Sequence, residues 1–469
     1  IIVWVVRQKQ NDSADYFLGG RDATWLAIGA SIFASNIGSE HLIGLAGAGA
    51  SSGMAMAHWE IQGWMILILG WVFVPFYTRS MVYTMPEFLE RRYNPQSRTI
   101  LSVISLVSYV LTKVAVTVYA GGLVFQQVFG IKELWGIDFF WIAAIGLVVL
   151  TALYTIFGGM KSVLYTSVLQ TPILLLGSLI ILVLGFKELG GWDEMMRVCG
   201  AVTVNDYGDT MTNLIRSNDD ANFPWLGALI GSAIIGFWYW CTDQFIVQRV
   251  LSGKNEMEAR RGTIFGAYLK LLPVFLFLIP GMIAFALHQK YIGAGGEGFL
   301  PMLANGTANA DAAFPTLVAK LLPAGVKGLV VCGILAALMS SLASLFNSSA
   351  MLFTIDFYKR FRPETPEKKL VGIGQVATVV IVILGILWIP IMRSVGDVLY
   401  TYLQDVQSVL APGIAAAFLL GICWKRTSAQ GGMWGLIAGM VIGLTRLGAK
   451  VYYSNAGEVA DSTFKYLFY

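Results

Sequence analysis

Apolar segments about 20 residues long recur along almost the whole chain, a length that lets a helix cross the hydrocarbon core of a bilayer. Short polar loops separate them. We therefore predict membrane helices near residues 24–50, 55–78, 99–128, 138–157, 161–187, 224–250, 259–288, 314–357, 369–394, 398–422 and 430–452, with a further helix from 460. The stretch 314–357 exceeds one span, so part of it should lie outside the bilayer.

Six ionisable or strongly polar residues interrupt these apolar runs: Asn36, His41, Glu60, Asp243, Lys270 and Gln404. A charge at the bilayer centre costs from about 3 kcal/mol upwards. Such residues persist where they face a wet cavity, pair with each other or bind polar cargo. A carbohydrate-like cargo fits them, because each of its hydroxyl groups both donates and accepts hydrogen bonds.

The composition is typical of a polytopic helical membrane protein. Of 469 residues, 56% are hydrophobic and 13% are charged, against about 25% charged in soluble domains. The net charge of +4 does not indicate a nucleic-acid partner, because the basic residues lie in loops between apolar runs. The four cysteines lack paired spacing, so neither a disulfide framework nor a thiolate metal site is expected. No organic cofactor is expected.

Loop charge predicts the orientation. Lys and Arg concentrate in one set of alternate loops, which the positive-inside rule makes cytoplasmic. Residues 1–23 would then comprise the end of a peripheral helix and a cytoplasmic loop, and the loops at 188–223 and 289–313 would be external. Residues 423–469 would form peripheral C-terminal helices, which we expect to be truncated.

Two sets of five helices, at 24–187 and 224–422, should enter the membrane from opposite sides, because five is odd. This is the arrangement of inverted-repeat transporters, in which ligands bind beside broken helices near the bilayer midplane. The first helix of each set should be the broken one: ASNIGSEHLIGLAGAGASSG (34–53) is rich in Gly, Ser and Asn, and WYWCTDQ (238–244) interrupts a Gly/Ile run. Close helix packing is the alternative explanation of the small residues.

Eight motifs resemble the sodium/solute symporter family, specifically its sodium/glucose cotransporter branch. They follow in order along nearly the whole chain, and WYWCTDQ with the following VQR is highly specific. The motifs are DYFLGGR (15–21), SIFASNIGSEHLIGLAGAGASSG (31–53), YTMPEFLERRY (83–93), LYTIFGGMKSVLYT (153–166), WYWCTDQFIVQR (238–249), AYLKLLP (267–273), MSSLASLFNSSAMLFTIDFYKR (339–360) and FLLGICWKR (418–426). The resemblance implies an all-α, LeuT-type inverted-repeat fold with extra peripheral helices. It also implies symport of a sugar-like solute with sodium by alternating access.

The resemblance also implies a sodium site. Its ligands would be the backbone oxygens of Ala34, Ile37 and Ala337 and the hydroxyls of Ser340 and Ser341. The alternative is that these serines merely hydrogen-bond to carbonyls of their own helix.

A second ion site is found in some sugar cotransporters. By resemblance, that site has an acidic residue and a Thr at the positions that correspond to Ser167 and Ala343. The ligands of a second site are therefore weakened or lost in this chain. We therefore predict one sodium per solute.

The solute site implied by the resemblance would use hydrogen-bonding and aromatic side chains together. Its contacts would be Asn36, His41, Glu60, Tyr239, Trp240, Lys270 and Gln404. Tyr239 would also act as an inner gate, and Leu45, Trp59 and Tyr400 would close the outer side.

Several of these residues have structural alternatives. Glu60 and Lys270 could form a structural ion pair, and His41 could cap the broken helix. Trp240 could serve packing alone. Asp243 and Gln244 are expected to form a cytoplasmic-side salt bridge with the basic VQR segment. Lys113 could bond to backbone carbonyls or extend towards the interface, and no function is assigned to it.

Three positions depart from the glucose-type pattern: Gly236, Thr401 and Gln407. They leave glucose, galactose, other hexoses and inositol open; we favour a glucose- or galactose-like hexose, with inositol or another polar solute as the alternative. Other candidate functions are symport of an amino acid, carboxylate or vitamin, and a sensor or channel without net transport. Glu60 argues against an anionic cargo. An enzyme is not indicated, because HExxH and GxSxG motifs are missing.

The expected location is a plasma membrane, with a bacterial inner membrane favoured. The loop at 289–313 lacks cysteine, whereas animal sugar cotransporters resemble one another in having a cysteine-bearing loop there. The expected partners are the solute and the lipid bilayer. The oligomeric state is open, and a monomer could function alone.

Overall fold

The structure is a computed structural model that describes residues 12–38, 40–220, 223–303, 306–395 and 399–455. Side chains are not described at 111, 391–395, 399–405 and 450–455. The helix predicted from 460, and most of the predicted segment 1–23, lie outside the described residues.

Helices account for most of the described chain. The α-helices are α1 (Ser13–Leu18), α2 (Trp25–Asn36), α3 (Ala46–Ser52), α4 (His58–Ile61), α5 (Met65–Ile68), α6 (Val74–Ser80), α7 (Met85–Arg92), α8 (Pro95–Ser108), α9 (Ala115–Phe129), α10 (Phe139–Leu189), α11 (Trp192–Gly200), α12 (Trp225–Gly236), α13 (Gln244–Leu251), α14 (Glu256–Leu269), α15 (Ile279–Gly293), α16 (Ala313–Leu321), α17 (Ala324–Met351), α18 (Lys359–Phe361), α19 (Glu367–Val395), α20 (Leu399–Cys423) and α21 (Ala429–Asn455). The antiparallel strands β1 (Glu133–Leu134) and β2 (Ile137–Asp138) form a short hairpin.

Wider and tighter helical turns join many of these helices. The π-helical turns are Glu40–Leu45, Leu69–Phe73, Tyr109–Val114, Phe237–Thr242, Val274–Leu278 and Leu352–Tyr358. The 3₁₀ turns are Gly19–Arg21, Gly53–Ala57, Gln62–Trp64 and Ala310–Ala312. π-Helical turns often occur at functional sites, and several of these carry polar residues inside apolar helices.

Within the described residues, nine helical stretches are long and apolar enough to cross a membrane, and Trp25–Asn36 is a shorter apolar helix. The longest stretch, α10, changes direction at Gly159, whose φ of 53° is favourable for glycine. A Cβ at Gly159 would overlap the carbonyl oxygen of Tyr16. The sequence predicted two helices here, 138–157 and 161–187, and Gly159 lies between them.

Both predicted helix breaks are present. Helix α2 ends at Asn36, Ile37 has a ψ of 97°, and the π-helical turn Glu40–Leu45 leads into α3. Helix α12 continues through Phe237–Thr242 and ends at Asp243, whose ψ of 126° is extended.

Three predicted elements differ from the structure. The single helix expected at 314–357 is divided into α16 and α17, because Pro323 lacks an amide hydrogen and the preceding Leu322 is extended, with ψ 131°. The helix expected at 259–288 is interrupted after α14, where Lys270 occupies the C-terminal cap and Pro273 precedes a π-helical turn. The segment predicted as an external loop, 188–223, contains α11.

Close backbone contacts pack the broken helix of the first half against the second half. A Cβ at Gly281 in α15 would overlap the carbonyl oxygen of Ala46, and one at Gly49 would overlap that of Leu278. Small residues such as Gly49 and Gly281 let helix backbones approach this closely. This packing holds α3 and α15 together.

Candidate functional site

His41, Glu60 and Lys270 form one buried cluster although they come from three separate helical segments. Lys270 Nζ lies 2.6 Å from Glu60 Oε2 and 2.7 Å from His41 Nε2, and His41 Nε2 lies 3.2 Å from Glu60 Oε1. None of the three side chains is more than 4% exposed. The Glu60–Lys270 ion pair considered from the sequence is therefore present, and His41 joins it instead of capping the broken helix.

The local backbone lets Lys270 reach this cluster. A Cβ at Gly63 would lie 2.6 Å from Cγ of Lys270, so the missing side chain makes room for the lysine stem. Lys270 itself sits at the end of α14, where the helix is interrupted. From this position Lys270 reaches the Glu60 carboxylate.

The cluster assigns a hydrogen-bonding role to His41. A charged lysine ammonium group only donates, so its contact with His41 Nε2 favours the tautomer with the ring proton on Nδ1, whereas donation from Nε2 to Glu60 Oε1 favours the other tautomer. Nδ1 is buried, and it has no hydrogen-bond partner among the described residues. In the first tautomer His41 offers a buried N–H group to a further oxygen acceptor.

Asn36 and Tyr239 connect the two broken helices. Asn36 Nδ2 donates to the Tyr239 hydroxyl over 2.9 Å. The rings of Tyr239 and Trp240 meet edge to face with centroids 4.8 Å apart, and Lys270 Nζ lies 5.6 Å from the Trp240 ring centroid. The aromatic pair therefore links Asn36 to the His41 cluster.

The break after α2 also lies against the serine-rich helix α17. Ser341 Oγ donates to the backbone oxygen of Ser35 over 2.8 Å, and a Cβ at Gly38 would lie 2.8 Å from Ser341 Oγ. The end of a helix leaves its last carbonyl groups without helical amide partners. The predicted ligands Ala34, Ile37, Ala337, Ser340 and Ser341 are all buried here.

A serine network extends from this break to a buried arginine that the sequence interpretation missed. Arg249 Nε donates to Ser31 Oγ and Ser35 Oγ, both over 3.1 Å. Ser167 Oγ lies 3.2 Å from Ser340 Oγ and 3.5 Å from Ser31 Oγ. Ser167, where an acidic residue was considered, is thus part of a neutral hydroxyl network beside a buried guanidinium.

Asp243 pairs with Lys113, so the salt bridge predicted between Asp243–Gln244 and the VQR segment was wrong. Lys113 Nζ lies 2.6 Å from Asp243 Oδ2, and the Tyr109 hydroxyl donates to Asp243 Oδ1. Asp243 also caps α13 and faces the helix of Lys113, whereas Arg249 faces α2.

Gln244 has a different partner as well. Its side chain accepts a hydrogen bond from the backbone amide of Met85 over 2.7 Å, at the start of α7. Asp243 and Gln244 therefore tie the second helix break to two neighbouring segments.

Glu40 is a further residue that the sequence interpretation missed. It begins the π-helical turn after the first break and lines a cavity with Asn36, Lys113, Tyr239 and Ser341. The rule applied to the other polar residues in apolar runs would have found it.

Some predicted residues cannot be compared in this way. The side chains of Gln404, Tyr400 and Thr401 lie outside the described residues. Leu45 is fully buried and Trp59 is partly buried, and their gating roles stay predictions. A Cβ at Gly236 would lie 2.8 Å from Gln62 Oε1, so the Gln62 side chain fills the space left at this position.

Comparison with known sequences gives three consistent matches. The sequence profile described as "Sodium:solute symporter family" matches residues 16–439. "Sodium/myo-inositol cotransporter 2" of Homo sapiens is 39% identical over 455 residues, covering 94% of this chain and 66% of the relative. "Sodium/myo-inositol cotransporter" of Homo sapiens is 38% identical over 463 residues, covering 94% of this chain and 64% of the relative. The chain thus spans slightly less than two thirds of the length of these curated relatives.

Solved structures establish the fold. The substrate-bound outward-open state of a Na⁺-coupled sialic acid symporter superposes with a TM-score of 0.76 at 21% identity, covering 95% of this chain and 94% of the other. The structure of MhsT with L-phenylalanine gives a TM-score of 0.56 at 12% identity, covering 90% of this chain and 98% of the other. The predicted all-α, LeuT-type fold of a polytopic membrane protein is confirmed.

Proposed function

Because this chain belongs to the sodium:solute symporter family, we propose that it couples sodium entry to the uptake of a polyhydroxylated solute by alternating access. Membership of a transporter family agrees with the expectation that the chain is not an enzyme. The observation that carries the proposal is the buried junction of two broken helices, where polar side chains with unused hydrogen-bonding atoms lie beside the serine-rich helix α17.

The proposed solute is an inositol. The sequence favoured a glucose- or galactose-like hexose and kept inositol as the alternative. Relatives that are 38–39% identical over 94% of this chain are named sodium/myo-inositol cotransporters, which favours the alternative. Inositol carries a hydroxyl group on each ring carbon, so it needs donors and acceptors around the whole ring.

The polar cluster can meet this need. Glu60 accepts hydrogen bonds, Lys270 donates them, and His41 presents the Nδ1 group described above. Asn36 Oδ1 is also buried without a partner among the described residues. A solute that lacks one matching hydroxyl would leave a buried group unpaired, which is a strong source of selectivity.

Sodium is proposed to bind where the broken end of α2 meets α17. Carbonyl oxygens of Ala34, Ile37 and Ala337 and hydroxyls of Ser340 and Ser341 would hold it, because sodium favours oxygen ligands. Binding there would fasten α2 to α17 and order Asn36 and His41 for the solute. Loss of sodium to the cytoplasm would release this constraint, and the solute would follow.

Further roles come from the family resemblance. Gln404 and Trp240 are proposed to contact the solute, and Tyr239 to form its inner gate. Leu45, Trp59 and Tyr400 are proposed as outer gates. One sodium per solute is proposed because Ser167 and Ala343 offer fewer cation ligands than an acidic residue and a threonine.

The chain is a multi-pass membrane protein. A plasma-membrane location is proposed; the bacterial inner membrane stays a prediction, and these relatives come from mammals. The oligomeric state stays open.

A counterflow experiment tests the solute class. Proteoliposomes preloaded with unlabelled myo-inositol, glucose, galactose or an amino acid would be assayed for uptake of labelled myo-inositol, with sodium or with choline in its place. We expect sodium-dependent exchange that is strongest with inositol inside. Stronger exchange with glucose inside would restore the hexose interpretation, and no sodium-dependent entry of labelled myo-inositol with any of these solutes inside would contradict the inositol proposal.

A further inference from the structure

We propose that Glu40 forms a second cation-binding position next to the sodium site, and that one sodium ion moves between the two. The inference deepens the proposed function and rests on it. It starts from the small cavity lined by Asn36, Glu40, Lys113, Thr117, Tyr239 and Ser341, together with Ser35, Gly38, Phe245 and Leu345.

The cavity suits a small ion and not the solute. Its interior has room for about one water molecule. This is enough for a sodium ion but far too little for a six-membered ring with hydroxyl groups. The solute cluster of His41, Glu60 and Lys270 does not line it. The cavity is therefore distinct from the His41, Glu60 and Lys270 cluster, and it borders the proposed solute site through Asn36 and Tyr239.

The oxygen atoms around the cavity match the preference of a hard cation. Asn36 Oδ1 is buried and has no hydrogen-bond partner in the described part of the chain. The hydroxyls of Ser341 and Thr117 donate to the backbone oxygens of Ser35 and Lys113, each over 2.8 Å, and so keep lone pairs available. Glu40 adds a carboxylate, the strongest ligand of this set for a hard cation.

Lys113, a cationic residue of the cavity lining, interacts with Glu40 through space but forms its ion pair with Asp243. Among the residues that the structure describes, no side chain forms an ion pair or hydrogen bond with the Glu40 carboxylate. A cation in the cavity would give the Glu40 carboxylate a directly bonded counter-charge.

Ser341 belongs to both positions, which favours one ion over two. It lines this cavity and is also a proposed ligand of the first sodium site. Two sodium ions about 5 Å apart would repel each other by about 3 kcal/mol at an effective dielectric constant near 20. A single ion that passes from the Ser340–Ser341 side to Glu40 avoids this repulsion and agrees with the predicted ratio of one sodium per solute.

Equilibrium binding of radioactive sodium to the purified full chain in detergent tests this directly, with choline chloride keeping the ionic strength constant. We expect Glu40→Gln to raise the sodium dissociation constant about tenfold, since a charged ligand is lost. Glu40→Asp keeps the carboxylate and should stay close to wild type. Glu188→Gln removes an exposed external carboxylate by the same substitution and should leave sodium affinity unchanged.

A Ser340→Ala variant separates the two positions, because Ser340 does not line the cavity. We expect weaker but measurable sodium binding in Ser340→Ala. The double variant Ser340→Ala/Glu40→Gln should lose the binding that remains. Wild-type affinity in Glu40→Gln, or saturation at two ions per chain, would overturn the inference. The binding assay contains no solute, so it measures sodium binding independently of transport. A chain that binds sodium through Glu40 but accumulates no inositol would refute the proposed function alone.

Discussion

Lys113 Nζ lies 2.6 Å from Asp243 Oδ2, and both side chains are almost completely buried. Lys113 sits in the π-helical turn between α8 and α9, and Asp243 sits at the break between α12 and α13. The ion pair therefore fastens the second broken helix to a neighbouring helix. Lys113 is also close to the Tyr239 ring, with its Nζ 4.7 Å from the ring centroid.

Removing either partner of this pair should destabilise the protein strongly. Lys113→Met or Asp243→Ala would leave one buried charge uncompensated, at a cost of about 3–5 kcal/mol. Thermal unfolding of the purified variants in detergent, followed by tryptophan fluorescence, measures the effect. The double variant Lys113→Met/Asp243→Asn should be more stable than either single variant, because no unpaired charge is left.

The matched control is the exposed pair of Arg91 and Glu87, which are 2.7 Å apart with Arg91 51% exposed. Arg91→Met should cost at most about 1 kcal/mol. Equal effects of Lys113→Met and Arg91→Met on unfolding would show that the buried pair does not stabilise the broken helix.

Glu60→Gln should weaken solute binding while sodium binding changes little. The amide has nearly the same shape but no charge for Lys270, which now lies 2.6 Å from a carboxylate oxygen. We expect the solute concentration for half-maximal uptake to rise about 30-fold or more, because truncating one member of a buried charge pair costs about 2 kcal/mol or more. Uptake titrations with the solute and with sodium separate the two effects, and Glu188→Gln again provides the surface control. A variant in which sodium affinity falls and solute affinity is retained would place Glu60 outside the solute site.

Ser341→Ala should raise the sodium requirement of uptake at least about tenfold, because a hydroxyl ligand of a charged group is lost. Ser349→Ala on the same helix is the matched control: Ser349 is fully buried, and its hydroxyl has no partner among the described residues. We expect the control to keep wild-type sodium dependence. Full-rate, sodium-independent uptake by Ser341→Ala would refute the sodium site.

Gly281→Ala should disrupt packing between α15 and the broken first helix. The added Cβ would overlap the backbone of Ala46, and forced separation of packed elements typically costs about 1–3 kcal/mol. Gly231 lies inside α12 with open space around it, so Gly231→Ala should be neutral or slightly stabilising. Thermal unfolding of both variants compares them, and an unaffected Gly281→Ala protein would contradict the close packing.

The sequence identified the fold and the helix breaks well, because both depend on local signals. Apolar length predicts spans, and the Gly, Ser and Asn residues around Asn36 predict a break there. The interruption at Lys270 was missed although Pro273, three positions further on, gave a local signal against a continuous helix. Pro323 gave a local signal that a helix should end, and weighing it would have separated α16 from α17.

The pairings within the site could not be derived from the sequence. Asp243 has Arg249 six positions along the chain, yet it pairs with Lys113, which is 130 positions away. The pairing partner depends on the direction in which each helix points its side chains. The π-helical turns at 109–114 and 237–242 change this direction, because each adds a residue to a helical turn. Glu40, by contrast, was detectable, since it is a charged residue in an apolar segment.

Sodium-driven accumulation of myo-inositol in proteoliposomes tests the central claim most directly. With an inward tenfold sodium gradient and no membrane potential, coupling of one sodium to one solute supplies about 1.4 kcal/mol and limits accumulation to about tenfold. We predict that internal inositol rises above the external concentration, approaches this limit and returns to equality when the sodium gradient is dissipated. Inositol that only equilibrates across the membrane, at a rate independent of sodium, would contradict the account.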